Sequence, residues 1–301
     1  MSCYLCGGNR YSLFCRISDR LPGLEHCMYR VLRCRDCGLG WTWEANADRL
    51  PDPIYPADYW GDVAGELEAV ATGRWKRGPL WRAEAEKVRL VERFLPGGKL
   101  LDVGAGIGKF LLALDPSRWR AEGIEDAAHV VGQARRRFPR LSLYPASIET
   151  FTPNHAYDVI TLWHVFEHLR DPRTALRRLR SWLGPGGLLV VSLPNLDSWQ
   201  ADWFRENWFP FGEGSRHPFH YSPESLSRLL REEGLDPVRC LFFSRRVSLH
   251  CWKAGRRRLL RESPWSPVAR ILRPLVYLGP GFERLAGRWG IFTLVATPRR
   301  S

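Results

Sequence analysis

The sequence has no apolar run that approaches the ~18 residues a membrane span needs. Its start, Met1 to Cys6, has neither a basic stretch nor an apolar one behind it, so no secretory signal is expected there. Internal repeats and low-complexity runs are missing too. These absences leave a folded chain expected in the cytoplasm, where thiols stay reduced. The eight cysteines then read as metal ligands or buried thiols rather than a disulfide frame. Acidic residues are scarce in one region. From Arg245 to Ser301 only Glu262 and Glu283 oppose thirteen Lys and Arg, so most of the net charge of +13 belongs to the tail. At 301 residues and 45% hydrophobic, the chain can fill a core, and its length suggests two domains.

Two common nucleotide-binding motifs are also missing. In Lys99 to Phe110 an apolar run, Leu100, Leu101 and Val103, ends in Gly104, Gly106 and Gly108, and a helical apolar pattern follows. Strand, glycine turn and helix begin a nucleotide-binding βαβ unit. The dinucleotide fingerprint requires glycine where Lys109 stands. The phosphate-cradling loop requires glycine at Val103 and Ser or Thr at Phe110. What remains is D-x-G-x-G-x-G, starting at Asp102. Glu125 falls about 20 residues on, at the expected tip of the second strand, where an acid can bind ribose hydroxyls.

Strands and helices alternate from 99 to about 243, which predicts a parallel sheet covered on both faces. The strand Tyr157 to Trp163 runs into His164, and Glu167, His168, Asp171 and Pro172 follow. Proline at 172 suits the first position of a helix. Further on, an aromatic stretch from Trp199 to Phe211 leads to Arg216, His217, His220, Tyr221 and Ser222, with Ser222 as a helix N-cap. Loops this long usually carry function.

The D-x-G-x-G-x-G turn resembles motif I of the class I S-adenosylmethionine-dependent methyltransferases. The block from Asp158 to Pro172 is similar to E-H-x-x-D-P motif IV of the branch that includes ubiquinone-pathway, sugar and natural-product enzymes. Residues 216–222 are similar to that branch's R-H-x-x-H-[FY]-[ST] segment. The resemblance implies an α/β, Rossmann-like, seven-stranded sheet binding S-adenosyl-L-methionine. It puts Asp102, Gly104, Gly106, Gly108, Glu125, Leu162 and Trp163 at the cofactor, with Tyr59 over it. His164, nearest the methyl group, is the candidate base, and His217 and His220 could face the acceptor. Glu167 and His168 read mainly as structural. His217 and His220 could also bind a metal, but no third ligand lies near them in sequence.

Cys3-x-x-Cys6 and Cys34-x-x-Cys37 have the spacing of two zinc knuckles, and a four-thiolate site is closed and structural. Cys15 and Cys27 read as buried thiols. The organisation expected is a zinc ribbon over 1–45 and a joining segment with a helix over 46–98. A cofactor-binding domain over 99–245 and a basic helical insertion with a final edge strand over 246–301 complete it. The basic and apolar segment 246–288 either rests on an anionic membrane or caps the core.

The expected function is methyl transfer to a small-molecule acceptor, such as a sugar or polysaccharide precursor. An RNA methyltransferase is the alternative suggested by the ribbon and the basic surplus. Against it, base N-methyltransferases typically carry N-P-P-Y or D-P-P-Y where this chain reads Leu162, Trp163, His164 and Val165. Cys240 and Cys251 do not fall at a strand mouth, where a cytosine-C5 nucleophile is needed. A non-catalytic ribbon protein on a degenerate fold is the third class, and the intact glycines and Glu125 oppose it.

Overall fold

The computed structural model describes residues 2–19, 27–44, 60–77, 79–242, 245–262, 281, 283 and 287–299. Tyr59 and most of the insertion between 263 and 286 lie outside the described residues.

Three strands form the N-terminal ribbon: β1 (Tyr11–Ser18), β2 (Met28–Cys34) and β3 (Gly40–Glu44). Helices α1 (Val63–Ala71) and α2 (Pro79–Glu92) follow. The alternating core then runs β4 (Gly98–Val103), α3 (Lys109–Ala113), β5 (Trp119–Glu125), α4 (Ala128–Arg137), β6 (Leu143–Pro145), β7 (Tyr157–Trp163), α5 (Pro172–Trp182) and β8 (Leu183–Pro194). It continues through α6 (Trp199–Phe204), β9 (Phe219–His220), α7 (Pro223–Glu232), β10 (Leu235–Phe242), α8 (Arg245–Glu262) and β11 (Ile291–Pro298).

The large sheet has seven strands, the number that the resemblance implies, in the order β10-β11-β8-β7-β4-β5-β6. Strands β4 to β8 run parallel, and β11 is antiparallel to both its neighbours. Alternate residues enter opposite apolar layers. Leu101, Ile160, Leu162 and Val191 join one, and Leu100, Val159, Trp163 and Val190 the other. Chain order reverses between β4 and β7, and ligands bind beyond strand ends at such a point.

The expected edge position of the last strand needs correction. β11 lies between β8 and β10, so β10 is the edge. The physical reason is visible in its residues. Ile291 to Ala296 are buried without alternation, as an interior strand requires, whereas β10 is largely exposed. Both predicted helix starts hold. The Asp171 carboxylate accepts from Thr174 N before Pro172, and the Ser222 hydroxyl accepts from Ser225 N before Pro223.

The ribbon is joined to the core by pairing and by charge. β9 adds to β3 as a fourth strand, pairing Trp41 with Phe219 and Gly40 with His220. Arg173 on α5 donates to Leu5 O at 3.0 Å and reaches Glu232 at 2.7 Å and Glu233 at 2.6 Å. Helix α8 packs Trp252 and Cys251 into the interior, with Trp252 beside Phe204. The described part of the basic tail therefore caps the protein. No described helix is long and apolar enough to cross a membrane. Because Arg173 links three segments, Arg173→Ala should cost about 1–3 kcal/mol in urea denaturation. An unchanged midpoint would show that the ribbon is held by strand pairing alone.

Candidate active site and metal centre

The turn after β4 takes the backbone through positive φ at Gly104 (68°) and Gly106 (55°). A Cβ at Gly104 would meet Val165 at 2.4 Å, and one at Gly106 would face the Trp60 ring at 3.3 Å. The turn is tied to the tip of β5. Glu125 Oε2 accepts from Gly106 N at 3.0 Å, and Oε1 accepts from Ala127 N at 3.1 Å. Burial raises the Glu125 pKa, while those two N–H groups pull it back. Asp102 at the end of β4 accepts from Thr161 Oγ1 at 2.6 Å. Burial pushes its carboxyl up to about 7, against the lowering effect of Thr161 and Lys87.

These groups line a cavity of about 600 Å³ at the carboxyl ends of β4, β5 and β7, within the ~300–1,000 Å³ of ordinary small-molecule sites. Asp102, Gly104, Gly106, Glu125, Trp163 and His164 all line it. Trp163 packs edge-on to Phe110, with Lys87 Nζ 5.5 Å from its ring centre. His164 has φ of 58°, which is rare for a residue with a side chain, and its N–H donates to Ser192 O at 2.8 Å. The strained turn leaves its imidazole 41% exposed at the cavity, with Nδ1 3.6 Å from Glu167 Oε1.

Four expected placements differ. Leu162 is fully buried in the core because its side chain alternates away from Trp163. Gly108, at φ 81°, starts α3 and makes room for Leu141 rather than lining the cavity. His217 and His220 also lie outside the cavity lining, 7% and 5% exposed. His220 Nε2 is 2.9 Å from Thr42 Oγ1. The single Thr42 hydroxyl proton is given to His217 O, so His220 donates. Burial lowers its pKa to about 3, so it is a neutral link between ribbon and core, not a base facing an acceptor.

Sequence reasoning missed Trp60, Glu84 and Lys87 in the cavity wall. Glu84 and Lys87 pair at 3.0 Å on the inner side of α2. Both residue types are ordinary on an exposed helix face, so the sequence carried no signal for them.

At the ribbon, the Sγ atoms of Cys3, Cys6, Cys34 and Cys37 lie within 4.8 Å of one another. Cys3 and Cys37 are 3.5 Å apart, and Cys6 and Cys34 are 3.6 Å apart. A tetrahedron with Zn–S of about 2.3 Å requires S···S of about 3.8 Å, so the cluster fits zinc. These separations are too long for disulfides, and the backbone N–H of Asp36 already points at Cys34 Sγ at 3.4 Å.

Residues 80–239 match the family described as Methyltransferase domain, and the chain belongs to that family. Over 159 residues it is 31% identical to the dTDP-3-amino-3,6-dideoxy-alpha-D-glucopyranose N,N-dimethyltransferase of Streptomyces fradiae, covering 51% of this chain and 58% of that one. It is 32% identical over 156 residues to the ubiquinone biosynthesis O-methyltransferase of Cereibacter sphaeroides, covering 47% and 62%. The chain thus spans about three-fifths of the length of these two curated relatives. The crystal structure of the Burkholderia thailandensis 1,6-didemethyltoxoflavin-N1-methyltransferase shares the fold, with a TM-score of 0.51 at 15% identity over 88% of this chain and 98% of that one.

Elemental analysis of the purified protein should give one zinc per chain, and Cys37→Ser should lower it. Chelator should depress the melting temperature, because a three-strand ribbon has little core of its own. A metal-free protein with an unchanged melting curve would refute the structural zinc.

Proposed function

We propose that the chain transfers a methyl group from S-adenosylmethionine to a small-molecule acceptor. The observation that carries this reading is the glycine turn tied to Glu125 beside Asp102, opening on one cavity with His164 at its mouth. Gly104 and Gly106 line the cavity, and their absent Cβ atoms let Val165 and Trp60 close on the turn. Glu125 and Asp102 supply acceptors for ribose hydroxyls and for an ammonium group. When bound, the cofactor supplies an electrophilic methyl on a sulfonium. The chain's own contribution is to orient the acceptor and to take its proton at His164. The related sugar N,N-dimethyltransferase and ubiquinone-pathway O-methyltransferase support an acceptor of metabolite size.

The direct test is calorimetric titration with S-adenosylmethionine. Gly106→Arg should abolish binding, since its side chain would enter the space under Trp60; retained affinity removes the site. Screening with methyl-labelled cofactor against sugar and phenolic metabolites then identifies the acceptor class.

His164→Ala should cut kcat by about 10²–10⁴ with cofactor affinity nearly intact, as loss of a general base does. An unchanged rate would leave His164 with a structural role.

The raised Asp102 pKa adds a pH dependence. Below about pH 7 the carboxyl holds its proton, and a cationic ligand beside it favours the ionised form. Cofactor affinity should therefore rise as pH climbs through 7, with proton release on binding, and Asp102→Asn should flatten the profile. Calorimetry in buffers of different ionisation enthalpy measures the proton directly. A flat wild-type profile would mean that Asp102 does not face the cationic groups.

A further inference from the structure

The thiolate cluster of the ribbon and the cavity of the core are joined by two short paths of contact. The first runs through the knuckle itself. Tyr4 and Leu5 are the two residues between Cys3 and Cys6. The Tyr4 hydroxyl donates to Asp171 Oδ1 at 3.0 Å and accepts from Arg173 N at 3.4 Å. Leu5 O accepts from the Arg173 guanidinium, which lies 5.8 Å from the centre of the Tyr4 ring. Asp171 in turn lines the cavity and caps α5 through Thr174 N at 3.1 Å. A single side chain thus reaches from the zinc loop to the cavity wall.

The second path runs through the ribbon sheet. Cys34 ends β2, β2 pairs with β3, and β3 pairs with β9. On the segment before β9, Arg216 O accepts from His168 Nδ1 at 3.1 Å, and His168 lines the cavity. The Phe219 ring of β9 packs on Tyr4 at 4.7 Å, so the two paths meet. Leu169 and Arg170 line the cavity between these two anchors. The stretch 168–171 is therefore held at one end by the first knuckle and at the other by a segment laid on the ribbon.

Such a link needs an element with two states, and the knuckle has them. Its turn is closed by Cys3 N on Gly8 O at 2.8 Å and Gly7 N on Cys3 O at 2.9 Å, with little core beneath it. A turn of this kind is ordered by its metal and loosened without it. Resting on the reading of the cavity as the S-adenosylmethionine site, we infer that zinc in the ribbon and the cofactor in the cavity bind cooperatively, with Tyr4 as the positioning residue between them. Zinc orders the loop that carries Tyr4, Tyr4 holds Asp171, and a wall already ordered costs less to close on a ligand. Linkage makes the effect mutual, so a cofactor that favours the ordered wall retains the zinc by the same factor. Loss of the metal turns the cavity down without touching any residue in it.

The test uses the full chain. Zinc affinity is measured by competition with a chromophoric chelator, with and without saturating S-adenosylmethionine, and cofactor affinity by calorimetry with and without zinc. The two factors should agree and reach at least about fivefold. Tyr4→Phe keeps the ring and all four thiolates and loses one hydrogen bond, so it should shrink the factor about threefold at unchanged zinc stoichiometry. A merely structural ribbon would show no such change. A factor near one in a protein that binds both ligands overturns the inference, as does a factor that Tyr4→Phe leaves alone. Circular dichroism follows the core, and a core that unfolds when zinc is removed also overturns it, since the link would then be global. Hydrogen exchange reads the same wall without cofactor. Zinc removal should speed exchange at 168–174 and leave β4 and β5 protected, and unchanged exchange at 168–174 refutes the link. If S-adenosylmethionine does not bind while zinc removal still loosens 168–174, the proposed function fails and the tie between metal and wall stands.

Discussion

A single carboxylate holds the site together. Glu125 stands at the tip of one strand and accepts from the turn of the next, at Gly106, and from the start of its own following helix, at Ala127. Its burial costs desolvation, which those two backbone N–H groups offset. The turn it steadies has no side chains to pack at Gly104 and Gly106, so without this anchor a left-handed backbone would be loosely held. Everything at the cavity is measured from that turn. Asp102 lies two residues before it, Trp60 lies over it, and Val165 at the end of the neighbouring strand packs against it.

The opposite wall is built by a second departure from easy backbone geometry. At His164 the chain leaves β7 in a conformation that glycine usually takes. The hydrogen bond to Ser192 on β8 and the packed Phe166 just beyond it hold that bend. Its effect is to aim an imidazole outward while the next acid, Glu167, turns inward. The two walls use one rule in opposite senses: one makes room by omitting side chains, the other presents a side chain by straining the backbone that bears it.

Much of this was legible in the sequence. Glycines at alternate positions after an apolar run, and an acid about twenty residues later, marked the turn and its partner. The cysteine pairs marked the ribbon, and proline after Asp171 and Ser222 marked two helix starts. What was not legible depended on direction or on long-range contact. Leu162 and Trp163 are neighbours, and only the phase of the strand tells which one faces the cavity. Gly108 looks like its fellow glycines, yet serves Leu141. His217 and His220 read as a pair by spacing, and their rings do meet edge-on at 6.3 Å, but packing buries both away from the cavity, with His217 beside Glu167 and His220 at Thr42. The wall from α2 was invisible because Glu84 and Lys87 are ordinary residues for an exposed helix face.

The pairing of β3 with β9 means that the ribbon is not an appendage. Its third strand supplies the edge on which Phe219 and His220 are laid, and Thr42 holds His220 and the His217 carbonyl together. Exchanging the ribbon for one from a distant relative would therefore require exchanging the segment before α7 with it. Variation in the two must be inherited as a unit, although about 175 residues of chain separate them.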